Sequence, residues 1–180
     1  MRKYIYLISP QNIKGEKFYI NLNKILKTKK VKEIVKKNKV KFLINDNPHV
    51  AKIVGADGCH IGQKDMNFMI ARKILGKKKI IGVTCHNSLK KAKEAITKKA
   101  DYIAIGAFHK STTKKTKYKA TLKDLKRIRI ITKKPIIAIG GINEYNYKKL
   151  LLNKADFLAI SSFIWKNKKL KPEKAIDKIK

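Results

Sequence analysis

Residues 134–164 read KPIIAIGGINEYNYKKLLLNKADFLAISSFI. An apolar β-run at Ile136–Ile139 ends in two glycines, a helical pattern follows, and a second β-run at 157–161 ends in serines. Glycine has no Cβ, so a ligand can approach the backbone of the first turn closely. Two such turns side by side would expose N–H groups at helix N-termini, where anions are favoured. Loops after the last two strands of (β/α)8 barrels often hold a phosphate, so the stretch predicts such a barrel with a phosphate site.

An internal repeat extends this pattern along the chain. The segments GADGCHIG (55–62), KADYIAIG (99–106) and KADFLAIS (154–161) each follow a helical pattern and end a β-run at Gly or Ser. Repeated βα units imply a parallel sheet with helical crossovers. The β-runs are continuously apolar, as expected for strands buried on both faces. Polar residues gather after the strands, where such folds place their chemistry.

The periodicity predicts seven strands, near residues 4, 42, 59, 81, 103, 137 and 158. Helices are predicted at 18–37, 49–54, 68–75, 88–98, 122–132 and 172–179. An eighth strand has only one candidate, at 19–22, and 180 residues fall short of the roughly 200 that such barrels need. We therefore predict a single α/β domain over residues 1–180, an incomplete or rearranged (β/α)8 TIM-type barrel.

The net charge of +34 first suggests a nucleic-acid partner. Only four of the 46 basic residues are Arg, however, and bidentate recognition of phosphate and base edges favours Arg. The lysines are spread along the chain, mostly on predicted outer helix faces. This distribution favours a solvated surface and argues against nucleic acid. Polyanion binding remains an alternative, which would weaken steeply with salt and show no ligand preference.

Cys59 and Cys85 lie far apart in apolar runs, a pattern typical of small buried residues in a reducing compartment. No cysteine spacing indicates a metal site. The N-terminal MRKYIYLIS is too short for a signal peptide, and no apolar run approaches the length of a membrane helix. We expect a cytoplasmic protein without membrane contact, and the sequence is compatible with an oligomer.

Six motifs occur in one order from residue 44 onward: I-N-D (44–46), G-A-D-G-C-H-I-G-Q-K-D (55–65), I-I-G-V-T-C-H (80–86), G-A-F-H-K-S-T-T-K (106–114), I-A-I-G-G-I (137–142) and K-A-D to S-S (154–162). In this order they resemble the thiamine phosphate synthase family, which includes thiazole tautomerase-like relatives. The resemblance covers residues 4–8 and about 41–164.

The resemblance implies a transferase of thiamine biosynthesis. Such an enzyme joins hydroxymethylpyrimidine diphosphate to thiazole phosphate and releases pyrophosphate, with Mg²⁺ neutralising the leaving group. It implies that Asp46 and Asp65 bind the metal, consistent with the preference of Mg²⁺ for carboxylates and substrate phosphates. It assigns no catalytic side chain. The implied substrate-binding residues are Asn45, Thr84 and Lys114 for the diphosphate and Ser111, Thr112, Thr113, Gly141, Ser161 and Ser162 for the thiazole phosphate.

The chain also departs from the family pattern. The family's second strand carries Q-[LV]-R-x-K, whose cations hold the pyrophosphate, and no such motif is present. About one βα unit is therefore missing. His60 and His86 are interpreted as satisfied core histidines, and no role is transferred to His109. A degenerate relative that binds thiazole phosphate or thiamine phosphate without full synthase activity remains an alternative.

Overall fold

The computed structural model describes residues 4–7, 37, 39–111 and 117–179. It contains two compact units. The larger unit comprises Met1–Pro10 with Thr84–Lys180, and the smaller unit comprises Gln11–Val83. The predicted helix at 18–37 falls almost wholly outside the described residues, and the candidate strand at 19–22 entirely so. The prediction of a single domain over the whole chain stays a prediction.

Four strands pair side by side in the larger unit, in the order β1-β7-β6-β5. All described pairings are parallel, with Tyr4 opposite Phe157, Ile137 opposite Phe157 and Ile103 opposite Ile136. Every residue of β5 is buried, which explains its continuously apolar sequence. These strands are β1 (Tyr4–Leu7), β5 (Tyr102–Gly106), β6 (Ile136–Ile139) and β7 (Phe157–Ile160).

The helices of the larger unit follow its strands in the order that crossover connections require. The helix α3 begins after Ser88 and α4 after Thr121, whose side chain forms a capping box with Asp124. The amphipathic pattern buries Ala92 and Ala95 of the first and Leu125 and Ile128 of the second. The helices are α3 (Leu89–Thr97), α4 (Leu122–Ile130), α5 (Tyr147–Leu152), α6 (Ser162–Trp165) and α7 (Pro172–Asp177).

The smaller unit holds the strands β2 (Leu43–Asn45) and β3 (Gly58–Ile61), and the strand β4 (Ile80–His86) begins there. Its strands are also parallel, with Leu43 opposite Gly58 and Gly58 opposite Ile80. Between them lie the helices α1 (Pro48–Ile53) and α2 (Phe68–Leu75). Asn47 and Asn67 cap these helices by accepting hydrogen bonds from Val50 and Met69.

The internal repeat has one geometry at each of its three copies. Gly55, Lys99 and Lys154 end their helices with φ of 61°, 63° and 74°. The following alanines, Ala56, Ala100 and Ala155, are buried, and each donates its N–H to the carbonyl of the residue five positions earlier. This is the Schellman ending of a helix, in which a left-handed residue satisfies the last free carbonyls. The repeat therefore encodes the turn from helix to strand.

The aspartate of the repeat fixes the start of a strand to its neighbour. Asp57 donates its N–H to the Phe42 carbonyl (2.8 Å), and its carboxylate accepts the Phe42 N–H (2.9 Å). Asp156 makes the same pair of bonds with Ile136, at 2.9 and 2.7 Å. In this way each aspartate sets the register between two parallel strands.

Strand and helix boundaries agree with the predictions to within one or two residues wherever the structure describes them. For the short helix α6 the sequence analysis predicted a helix N-terminus after β7 but no bounds, because four residues give no periodic signal. Cys59 and Cys85 are free and fully buried, as predicted. Within the described residues no helix is long and apolar enough to cross a membrane.

Candidate active site

In the smaller unit, the end of β2 presents polar side chains to solvent. Asn45 is the last residue of the strand, and Asp46 follows it with φ of 64°, a left-handed conformation that Asp tolerates better than most residues. The Asp46 N–H donates to the His60 carbonyl at 2.7 Å, which places Asp46 beside β3. Both Asn45 and Asp46 are exposed. The carboxylate is thus fixed through its own backbone while its side chain remains accessible.

Asp65 lies in the turn that follows β3. Its Oδ2 accepts the N–H of Gly62 at 2.6 Å. A Cβ at Gly62 would come within 2.6 Å of the same oxygen, so a side chain at this position would displace the carboxylate. Asp65 is exposed like Asp46. The turn therefore holds a second accessible carboxylate next to β3.

Both carboxylates belong to residues that hydrogen bonds hold at the end of β3: Asp46 through the His60 carbonyl and Asp65 through the Gly62 N–H. Burial raises the pKa of the Cys59 thiol to about 12, and the negative charges of Asp46 and Asp65 add to this rise. Burial likewise lowers the pKa of His60 to about 4, against the opposing charge of Asp65. His60 is therefore a neutral imidazole near neutral pH.

These residues fit a magnesium ion in part. In the ranges 39–111 and 117–179, no group of three or more His, Cys, Asp or Glu side chains could hold a metal. Mg²⁺, however, commonly uses only one or two protein carboxylates and takes its other ligands from water and substrate phosphates. The two accessible carboxylates beside β3 are a donor set of this kind.

In the larger unit, the glycine pair after β6 packs against another loop. A Cβ at Gly140 would lie 2.4 Å from the Cβ of Ala107, and one at Gly141 would lie 2.4 Å from the Lys110 carbonyl oxygen. The N–H groups of Phe108 and His109 donate to the carbonyls of Ile139 and Gly140, both at 3.1 Å. The prediction was that these glycines let a ligand approach. In the structure the loop after β5 packs closely against both glycines, which by itself excludes a larger side chain. The approach of a ligand stays a prediction.

A helix N-terminus was predicted directly after each of the two turns, and the structure has one at only the second turn. The helix α5 begins only at Tyr147, because Asn143 and Asn146 form a separate turn after Gly141. In this turn Asn146 accepts the N–H of Asn143 with its Oδ1 and donates to the Gly141 carbonyl with its Nδ2. That part of the prediction is wrong. After β7 it is correct, since α6 begins at Ser162 directly after Ser161. Both serines are half-buried.

The remaining predicted residues are placed by β4 and by the loop after β5. Thr84 is half-buried on β4 and alternates with the buried Val83 and Cys85. Ser111 is also half-buried, at the end of the described part of the loop. Thr112, Thr113 and Lys114 lie outside the described residues. Thr84 and Gly141, with Ser111, Ser161 and Ser162, therefore belong to the larger unit, and Asn45, Asp46 and Asp65 to the smaller one.

The sequence analysis misplaced His86 and missed its partner. His86 is the last residue of β4, with φ of 54°, and is half-buried rather than part of the core. Its ring stacks on Tyr118, with ring centroids 3.9 Å apart and an angle of 18° between the planes. No local pattern predicts a contact between residues so far apart in sequence.

Parallel strands alternating with helices, with polar residues after the strands, define an α/β protein of the TIM-barrel class, a class whose active sites lie at the strand ends. The same fold occurs in 3-hexulose-6-phosphate synthase, with a TM-score of 0.63 at 14% identity, over 96% of this chain and 84% of that one. The predicted fold, an incomplete barrel of this type, is confirmed.

The family model for thiamine monophosphate synthase matches residues 21–164, and the chain belongs to this family. The thiamine-phosphate synthase of Pelagibacter ubique (strain HTCC1062) is 55% identical over 201 positions, which span 99% of this chain and 97% of that protein. A solved structure, thiamine phosphate pyrophosphorylase from Pyrococcus furiosus, aligns with a TM-score of 0.81 at 26% identity, over 97% of this chain and 92% of that one. The predicted function, thiamine phosphate synthesis by a transferase that uses phosphorylated small molecules, is confirmed at this level.

The alignment with the Pelagibacter protein also bears on length. It extends over 201 positions, whereas this chain has 180 residues, so at least 21 positions have no counterpart here. A deficit of this size is compatible with the predicted loss of about one βα unit.

Proposed function

We propose that this chain uses Asp46 and Asp65 to hold Mg²⁺ while it joins hydroxymethylpyrimidine diphosphate to thiazole phosphate. The bond between the pyrimidine methyl carbon and the diphosphate oxygen breaks, and the thiazole nitrogen forms a new bond to that carbon. Pyrophosphate leaves with the electron pair of the broken bond. When bound, Mg²⁺ supplies positive charge that stabilises the leaving diphosphate.

One observation carries the proposal: hydrogen bonds hold Asp46 beside β3 and Asp65 in the turn that follows β3, and both side chains are exposed. Two negative charges that lie near one strand repel each other, and a divalent cation relieves this repulsion. Asp46 is oriented by the bond from its N–H to the His60 carbonyl, and Asp65 by the bond that it accepts from Gly62.

The substrates would be bound by residues from the motifs of the family. We propose that Asn45 and Thr84 contact the diphosphate, together with Lys114. Ser111, Thr112, Thr113, Gly141, Ser161 and Ser162 would bind the thiazole phosphate. A cytoplasmic location and the absence of a nucleic-acid partner remain part of this proposal, and an oligomer is compatible with it.

The test is product formation from both substrates, followed by thiamine phosphate fluorescence after oxidation. We expect turnover that requires added Mg²⁺ and is abolished by a chelator. Asp46→Asn preserves the left-handed backbone but removes the charge, and should lower kcat/KM by about 10²–10³-fold. The matched control is Asp57→Asn, a carboxylate at the opposite end of β3, which should retain kcat/KM within about 2-fold. Turnover that is unaffected by the chelator would contradict the metal assignment.

A second candidate function follows from the missing Q-[LV]-R-x-K motif. Each charge-assisted contact to a phosphate contributes about 1.5–3 kcal/mol, so loss of two cations could leave a protein that binds thiazole phosphate without synthase activity. Calorimetric titration with thiazole phosphate distinguishes the two. Binding without turnover would favour the degenerate relative, and turnover would exclude it.

A further inference from the structure

The helix α2 of the smaller unit is apolar on its outward side as well as on its buried side. Its buried residues are Phe68 and Ala71. The side chains of Met69 and Ile70 are 58% and 54% exposed. A surface helix normally carries polar residues on the side opposite the core, and a helix that is apolar all round is normally covered. The outward side of α2 therefore presents apolar side chains to solvent where polar ones are expected.

The neighbouring helix α1 adds a third apolar side chain. It is in contact with α2 and buries Pro48 and Ala51. Ile53 comes two positions after Ala51, on another side of the helix, and is 72% exposed. The exposed side chains of Ile53, Met69 and Ile70 are termed the apolar face. Exposed apolar side chains that are grouped on adjacent elements, unlike single ones, mark interaction sites.

The same part of the chain is nearly uncharged. From the start of β2 to the end of α2, residues 43–75 contain four of the 46 basic and three of the 12 acidic residues, a net charge of +1. The other 147 residues carry a net charge of +33. In addition, the guanidinium of Arg72 donates to the carbonyls of Gly76 (3.1 Å) and Lys79, within its own unit. Positive charge, which is abundant elsewhere in the chain, is therefore sparse around the apolar face.

The outward side of α3 shows how a helix of this chain looks where it meets only solvent. Its buried residues are Ala92 and Ala95. The exposed positions between and beside them are occupied by Lys90, Lys93 and Glu94. Such a side is well solvated, and its positive charge repels a second copy of the same chain.

We infer that the apolar face joins two copies of this chain in a symmetric dimer. A two-fold axis brings the same patch of both copies together, so the patch must be compatible with its own charge. Two basic surfaces repel each other, whereas two nearly neutral apolar surfaces can be buried together. An acidic partner would be drawn to the basic surfaces instead, which favours a second copy as the occupant. Lys52 and Lys73 border the face and supply the polar rim that such interfaces have.

Sedimentation equilibrium of the purified full chain tests the inference without any substrate. We expect a monomer–dimer equilibrium that tightens about 10-fold when NaCl is raised from about 0.05 M to about 0.5 M. Salt screens the repulsion between the two highly charged copies and does not weaken apolar contacts. A chain that stays monomeric at every protein and salt concentration, or a dimer that dissociates as salt rises, would overturn the inference.

Lysine substitutions locate the interface. Ile70→Lys places a positive charge in the face of both copies and should raise the dimer dissociation constant at least about 30-fold. Met69→Lys and Ile53→Lys should act in the same direction. The matched control is Ile130→Lys, which changes an isoleucine that is 84% exposed on α4 and should alter the constant by less than about 2-fold. Equal weakening by the control, or an unaffected dimer in Ile70→Lys, would show that the apolar face is not the interface.

A lipid surface is the other occupant that an apolar face could serve, and it gives a different result. If the chain is monomeric and co-sediments with neutral phosphatidylcholine vesicles, and Ile70→Lys abolishes that binding, the face belongs to a membrane contact and the dimer is wrong. Failure of the wild-type chain to bind such vesicles, together with the dimer, supports the second copy.

Hydrogen exchange of the wild-type protein gives an answer that needs no substitution, even where a variant fails to fold. Amides of α1 and α2 should exchange about 10-fold more slowly where the dimer predominates than where the monomer does, and amides of α4 should not change. Equal exchange in both conditions, or protection of α4 alone, would overturn the inference. The inference does not rest on the proposed function. Because no measurement involves substrate, either of the two can fail while the other stands.

Discussion

The ends of β3 and β6 both depend on a glycine, but for different reasons. At Gly62, a Cβ would collide with the Asp65 carboxylate at 2.6 Å, and the next atom of that side chain is already 3.7 Å away. At Gly140, a Cβ would lie 2.4 Å from the Ala107 Cβ and 2.6 Å from its Cα. The neighbour of Gly62 is the carboxylate end of a side chain, which can rotate away. The neighbour of Gly140 belongs to the backbone of a loop, which cannot rotate away.

This difference separates two kinds of site construction. Beside β3, the glycine makes room for a negatively charged carboxylate. After β6, the glycines allow two loops to pack closely on each other. Changes near β3 should therefore alter function at little cost in stability, and changes after β6 should cost stability.

The largest expected effect is that of Gly140→Ala. The φ of 105° is strained for alanine, and the new Cβ would push on the backbone of the loop. Together these effects should lower the free energy of unfolding by about 3 kcal/mol. Urea unfolding followed by circular dichroism measures the loss. A midpoint equal to that of wild type would show that the loop after β5 can move aside, and the contrast between the two sites would fail.

A smaller effect, of another kind, is expected for Gly62→Ala. The methyl group would displace Asp65 and weaken its bond with the N–H at position 62. Stability should fall by less than about 1 kcal/mol, while the Mg²⁺ concentration for half-maximal turnover should rise about 10-fold. A metal titration of turnover, run beside urea unfolding, checks both values. An unchanged metal dependence would remove Asp65 from the proposed site.

The smallest difference is expected between the two equivalent aspartates at the strand starts. Asp156 pairs with Arg129, whose side chain is 22% exposed and also donates to the carbonyls of Thr132, Lys134 and Lys154. Asp57 pairs only at 3.5 Å with Lys41, which is 72% exposed. Asp156→Asn should therefore cost about 1 kcal/mol more than Asp57→Asn. Equal losses in urea unfolding would mean that the Arg129 contacts do not need the carboxylate.

Much of the fold could be predicted because its signals are local. Continuous apolar runs, capping residues such as Ser88 and the repeated Ala-Asp pair each determine structure within a few residues. The repeat also predicted where strands begin, although not that Lys99 and Lys154 would adopt the left-handed conformation that Gly55 adopts freely.

The site could be predicted only in part, because its remaining features join distant segments. Motif order indicated Asp46 and Asp65, which the structure brings to one strand. The packing of Gly140 on Ala107 and the stacking of His86 on Tyr118 depend on how loops from different strands meet. Such contacts leave no periodic pattern, so the sequence analysis did not predict the packing of the glycines on the loop and did not single out Tyr118.

The two cysteines have a practical consequence. Both are fully buried, and burial raises the pKa of each thiol to about 12, so neither offers a thiolate to reagents near neutral pH. A single cysteine introduced at the exposed Lys117 would be the one reactive thiol of the folded protein. A fluorophore attached there, without removal of either native cysteine, would report changes in the immediate surroundings of position 117.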